Sequence, residues 1–188
     1  MAPVIRGTRL IHDGWGRLLV ADIAMPDGTR LTREIEDHGR AVCVLPYDPD
    51  RRTAVLIRQF RAPAFLADGT LDVLEAPAGL LDETDPEEGA RREAYEETGI
   101  RLTTMEPVCR MWTMPGISTE RVDGFLAQYR ASDRTGPGGG LSDEGEAITV
   151  CELPLSDIAA MSDRGELCDG KTLVLLLTLR LRRPDLFA

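Results

Sequence analysis

The segment Ala76-Pro-Ala-Gly-Leu-Leu-Asp-Glu-Thr-Asp-Pro-Glu-Glu-Gly-Ala-Arg-Arg-Glu-Ala-Tyr-Glu-Glu-Thr-Gly-Ile100 constrains this chain more than any other. Its second half carries the start and stop signals of a helix. Asp85 is a candidate cap, Pro86 suits the first helical position, Glu88 completes a capping box and Gly99 ends the segment. On a 3.6-residue period Glu93, Glu96 and Glu97 share an arc of roughly 100°. Beside them runs a stripe of small residues, Ala90 and Ala94, that lets the helix lie close against a sheet. Like charges three and four residues apart cost an isolated helix about 0.2–0.5 kcal/mol per pair, and Arg92, reaching Glu96, offsets only part of that. A divalent cation reverses the sign.

Composition narrows the context. A chain of 188 residues suits one domain with a full core and a small appended element. The net charge of −10 supplies no basic field to gather nucleic acid, so phosphate recognition must come from a few placed cations and bound metal. Cys43, Cys109, Cys151 and Cys168 stand far apart without a C-x-x-C pair, and the only histidines are His12 and His38, which argues against structural zinc. Nothing resembles a signal peptide, and the longest apolar run, residues 173–177, is too short to span a bilayer. No membrane partner and a cytoplasmic location are therefore expected.

Along the chain, short alternating segments between Val4 and Ile35 flank the turn signal Pro26-Asp-Gly28 and predict a small antiparallel sheet. Such a sheet is marginal alone. Residues 1–40 thus form an N-terminal β element that packs on its own main domain, residues 41–188, or on a partner's. Apolar runs at 41–47 and 53–60 predict the central hairpin of a mixed sheet, with Arg58 and Arg61 at its end as edge charges or ligand contacts. Residues 65–69 read as a loop, and 71–76 as a strand leading into the helix segment. Further strands fall near 106–112 and 121–129, linked by a Pro-Gly loop ending in Glu120. Residues 132–141, with Gly136-Pro-Gly-Gly-Gly140, have the composition of a mobile loop. The acidic run 143–146 follows, so the segment suits a lid delivering two glutamates; solvated surface acid is the competing reading. Ser156 caps a short helix to about Asp163, and Lys171 opens a Leu-rich helix to about Arg182.

The central segment resembles the Nudix box, a Gly, five residues, Glu, seven residues, then R-E-U-x-E-E-x-G-U with U aliphatic. Arg92 to Ile100 matches closely. The front half departs from the pattern. Counting back from Arg92 puts Ala78 in the glycine slot and Thr84 in the first glutamate slot, whereas starting at Gly79 leaves the spacing one residue short with Asp85 as the acid. Four further stretches are similar to the nucleoside-diphosphate-sugar branch of the family: Leu56-Ile-Arg-Gln-Phe-Arg61, Glu75-Ala-Pro-Ala-Gly-Leu-Leu-Asp82, Pro115-Gly-Ile-Ser-Thr-Glu120 and Asp143-Glu-Gly-Glu-Ala-Ile148. The short box and Asp169-Gly-Lys-Thr172 tilt the resemblance to GDP-mannose hydrolases over ADP-ribose pyrophosphatases.

The resemblance implies an α/β fold, an α/β/α sandwich with a mixed sheet plus a small N-terminal antiparallel β domain. It implies that Glu93 and Glu97 bind Mg²⁺, or Mn²⁺ in its place, with the carbonyl of Ala78, that Glu146 supplies a further ligand, and that Glu96 is a ligand or supports one. Glu144, Glu96 and Arg92 form the implied catalytic set, with Glu144 as general base. Arg61, Gly79, Leu80, Glu120 and Lys171 contact the substrate, a nucleoside diphosphate sugar. Arg33 and Glu34 reach it from the other chain of a homodimer with exchanged N-terminal strands. Hydrolysis of a pyrophosphate needs charge neutralised on both phosphoryl groups and a water made nucleophilic at neutral pH, and hard oxygen ligands on a rigid helix select the cations that do this. Two rival readings remain, a non-catalytic module that senses a nucleotide sugar and an RNA 5′-pyrophosphate hydrolase. The retained acids count against the first and the acidic net charge against the second.

Overall fold

Alternation in the first forty residues produces strands β1 (Val4–Asp13), β2 (Arg17–Ala24) and β3 (Arg30–Asp37), paired antiparallel in the order β1-β2-β3. The computed structural model describes residues 2–82, 85–141 and 147–188. It divides into two units, one of Met1–Arg40 with Met111–Val122, the other of Ala41–Arg110 with Asp123–Ala188. In the first unit the end of β3 is tied to residues 117–119 by main-chain bonds. Glu36 N donates to Ile117 O at 2.8 Å, and Thr119 N donates to Glu36 O at 2.9 Å.

A mixed sheet contains β4 (Arg40–Asp48), β5 (Thr53–Gln59), β6 (Val73–Glu75), β7 (Ala78–Leu80), β8 (Glu106–Trp112), β9 (Arg121–Gln128) and β10 (Thr149–Pro154). Its main path runs β10-β5-β4-β9-β8. The anticipated hairpin of β4 and β5 pairs at its base, Tyr47 with Ala54 and Asp48 with Thr53. Beyond that point β5 takes β6 and β4 takes β7, both antiparallel. This parting of the hairpin inserts the entrance to the box, residues 73–80, between its arms.

The described residues also contain four α-helices: α1 (Ala62–Asp68), α2 (Pro86–Thr98), α3 (Leu155–Asp163) and α4 (Gly170–Arg182). The loop expected at 65–69 is instead the second half of α1. Pro63 sits in its first turn and Gly69, at φ 82°, caps its end, so both residues mark the helix's boundaries. Ser156 does not cap α3, which begins one residue earlier after Pro154. In α2 the Asp85 side chain accepts from Glu87 N at 3.0 Å, and Gly99 ends the helix at φ 74°. The capping box does not form, because Glu88 Oε1 accepts from Arg91 Nη1 at 2.6 Å instead. Ala90 and Ala94 are fully buried in a core cluster with Val42, Val44, Val55 and Phe125, so the small-residue stripe faces the sheet as its spacing requires. No helix among the described residues is long and apolar enough to cross a membrane.

Candidate active site

The apolar face of α2 lies on the sheet, and the same rotation carries Glu93 and Glu97 inward, 8 % and 1 % exposed. The neighbouring strand β7 meets them. Ala78 N donates to Glu97 Oε2 at 3.0 Å. A Cβ built on Gly79 would stand 2.2 Å from the Glu93 carboxyl carbon and Oε1 and 2.4 Å from Oε2, so the carboxylate fills the space that any larger residue at 79 would need. The glycine requirement of this box is therefore met at Gly79, one residue later than the count from Arg92 implies. Asp85, the alternative first acid, is used as the helix cap. Thr84 lies outside the described residues.

Arg92 organises the exposed rim. Its Nη1 donates to Glu96 Oε2 at 2.9 Å, its Nη2 donates to Leu80 O at 3.1 Å, and the same nitrogen is 2.9 Å from Glu93 Oε1. One guanidinium thus joins two of the three acids to the strand that carries Ala78, Gly79 and Leu80. Glu93, Glu96 and Glu97 outnumber Arg92, so the cluster keeps a negative charge. The two buried carboxylates of Glu93 and Glu97 are hard oxygen donors of the kind that fit a divalent cation. Among the described residues no group of three or more acidic, histidine or cysteine side chains is gathered closely enough to hold a metal ion by itself. Two protein carboxylates would leave positions for water and phosphate oxygens, the usual mode for small divalent cations.

Arg61 and Lys171, expected as substrate contacts, meet at Glu75, which the sequence reading did not single out. Arg61 donates to both Glu75 oxygens, at 2.7 and 3.0 Å, and Lys171 Nζ donates to Glu75 Oε2. Arg61 thus pairs with a buried carboxylate, whereas Arg58 pairs with the exposed Asp72 at 2.6 Å. The available signal for Glu75 was an acid closing the otherwise apolar run Val73-Leu74. Burial raises the Glu75 carboxyl pKa, yet hydrogen bonds from Arg61 and the charge of Lys171 outweigh it and hold the group below its ordinary value.

The glycine-rich segment is docked. Gly139 N donates to Glu97 O at 2.8 Å and Gly140 N to Glu96 O at 3.1 Å, while Thr135 N and Gly136 N donate to Gly99 O at 2.9 and 3.1 Å. These bonds satisfy carbonyls that the last turn of α2 would otherwise leave open. Gly136 and Gly138 allow close approach to the end of α2. At Gly138, φ is +66° and a Cβ would lie 2.7 Å from Glu97 O. Gly138→Ala is expected to cost about 1–3 kcal/mol, with a fall in Tm of about 2–4 °C per kcal/mol at this chain length. Thermal melting checks it, and an unchanged Tm would contradict the docking. Ile148 N returns to Gly139 O at 3.4 Å. Glu144 and Glu146 lie outside the described residues. Arg33, Glu34 and Glu120 belong to the first unit, where Arg33 and Glu34 are exposed neighbours on β3 and Glu120 N donates to Ser118 Oγ at 3.1 Å.

The pattern of the NUDIX domain matches residues 37–173. The chain belongs to the Nudix family. Relatives named GDP-mannose pyrophosphatase support the same placement. Those of Cronobacter sakazakii and Pectobacterium atrosepticum are each 40 % identical, covering 88 % of this chain and 87 % of the relative, and 89 % of each, respectively. The protein of that name from Escherichia coli O1:K1 is 39 % identical over 89 % of this chain and 90 % of its own. A solved structure described as an ADP compounds hydrolase matches with a TM-score of 0.79 over 98 % of this chain and 96 % of its own, at 18 % identity, and so shares the Nudix fold. Nudix hydrolases generally use divalent metal ions.

Proposed function

We propose that this Nudix protein hydrolyses the pyrophosphate bond of a nucleoside diphosphate sugar, GDP-mannose before ADP-ribose, to a nucleoside monophosphate and a sugar phosphate. The observation that carries this reading is the likeness to GDP-mannose pyrophosphatases along nearly the whole chain, in a protein that keeps all three acids of the box. Glu93, Glu97 and the Ala78 carbonyl would hold Mg²⁺, or Mn²⁺ in its place, with Glu146 as a further ligand. When bound, the ion neutralises phosphoryl charge and makes water nucleophilic at neutral pH. Arg92 holds Glu93 and Glu96 in register with β7 through the contacts described above. Arg61 and Lys171 bind the anionic substrate, Gly79 and Leu80 line its path, and Glu120 contacts it. Glu144 accepts the proton of the attacking water. Release of monophosphate from a panel of GDP-mannose, ADP-ribose, other nucleotide sugars and 5′-triphosphorylated RNA, with and without Mg²⁺, tests the reading; GDP-mannose should lead, and turnover of the RNA alone would overturn it.

The same reading makes the protein a homodimer that exchanges its N-terminal strands, with Arg33 and Glu34 serving the partner's site. Supporting it, β1 is an edge strand exposed along its length, with Ile5 58 % and Leu10 50 % exposed, and Trp15 follows at 82 %. An apolar edge of this kind invites pairing. Light scattering should give twice the chain mass of 20.6 kDa, and Ile5→Arg with Leu10→Arg should shift it to the monomer. A monomeric wild-type protein at micromolar concentration would refute the exchange.

A further inference from the structure

Glu75 is 3 % exposed at the end of β6 and is shared by cations from two distant parts of the sequence. Its Oε2 accepts from both Arg61 Nη2 and Lys171 Nζ, so a guanidinium and an ammonium are neighbours across one oxygen atom. Arg61 precedes α1 and Lys171 lies in the first turn of α4. Asp169, the cap of α4, accepts a second bond from Lys171 at 2.9 Å, and its other oxygen accepts from Thr172 N at 3.0 Å and from the Thr172 hydroxyl. Thr172 Oγ1 in turn accepts from Ala76 N at 2.6 Å, which closes a ring of contacts back to the residue beside Glu75.

Stability alone is a weak reason for such a ring, because well-packed apolar groups of similar volume often replace buried ion pairs without loss. Two cations this close repel unless an anion lies between them. Burial by itself would also drive Lys171 towards the neutral amine, whereas Glu75 and Asp169 raise its pKa and keep it charged. An ammonium has three donors and a guanidinium five, so after the bonds to Glu75 and Asp169 each cation retains donors for the oxygens of a further anion.

We propose that Glu75 is a positioning residue that holds Arg61 and Lys171 together as one cradle for the phosphates of the substrate. The role rests on the pyrophosphatase reading, and it concerns binding rather than the chemical step. Glu75→Gln leaves a carbonyl that can serve one cation and turns an NH₂ donor towards the other. In a variant with wild-type circular dichroism, KM should rise at least about tenfold while kcat stays within about threefold of wild type. In an Arg61→Ala background the same change should add less than about twofold to KM, because the cradle is already broken. Glu75→Asp, which keeps the charge but withdraws it by one methylene, should raise KM in the same direction and stands in if the Gln variant does not fold. An unchanged KM in a folded variant, a fall in kcat alone, or the full tenfold rise persisting without Arg61 would each overturn the proposal. Calorimetric binding of inorganic pyrophosphate separates the two claims: the variant should bind it at least about tenfold more weakly than wild type even if no nucleotide sugar is hydrolysed. Equal affinity would overturn the cradle, while wild-type inactivity on the whole panel would count against the pyrophosphatase reading alone.

Discussion

Glu97→Gln and Glu93→Gln should each lower turnover at least about a hundredfold, equivalent to about 2.7 kcal/mol on the barrier, with the fold preserved. Each substitution removes a negative charge from the donor set proposed for the cation while keeping the side chain's shape. In Glu97→Gln the amide oxygen can still accept from Ala78 N, the bond that joins α2 to β7. Loss of activity without loss of structure is therefore the specific expectation. Glu96 is a useful contrast, since its side chain is more exposed than those of Glu93 and Glu97, so its replacement should cost less. Circular dichroism alongside kinetics decides the matter; near-normal turnover in both folded variants would exclude Glu93 and Glu97 as the metal carboxylates.

Local rules made α2 legible, because Asp85, Pro86 and Gly99 act on the main chain within a few residues of themselves. The central strands were legible for a related reason, as β4 and β5 are apolar runs buried along most of their length. What stayed hidden depends on partners distant in sequence. Glu88 fits a capping box by spacing, but Arg91 competes for its carboxylate and wins. Glu75 looks like a strand-end charge until Arg61 and Lys171, 14 and 96 residues away, are seen to converge on it. The glycines of 136–140 illustrate the same limit from the other side. Composition reports that they permit many conformations, and only the carbonyls of Glu96, Glu97 and Gly99 explain which one is used.

Gly79→Ala should lower turnover by about tenfold to a hundredfold while hardly changing stability, and this pairing makes it the sharper test of the site's geometry. Gly79 is not among the glycines with positive φ, so an alanine meets no backbone strain there. What it meets is the Glu93 carboxylate, with all three of its terminal atoms 2.2–2.4 Å from the new Cβ. The end of a glutamate can swing aside, which keeps the cost in folding free energy to about 1 kcal/mol or less. That movement has a functional consequence, because Arg92 holds Glu93 at 2.9 Å while also gripping Glu96 and Leu80 O. Displacing Glu93 therefore disturbs the whole rim and the donor set together. The Mg²⁺ concentration for half-maximal rate should rise, and Tm should move much less than in Gly138→Ala, where the added methyl faces fixed main-chain atoms instead of a side-chain tip. Kinetics under Mg²⁺ titration, paired with thermal melts of both variants, read the difference. Normal turnover in Gly79→Ala would mean that Glu93 does its work from another position, and the assignment of Gly79 as the box glycine would fall with it.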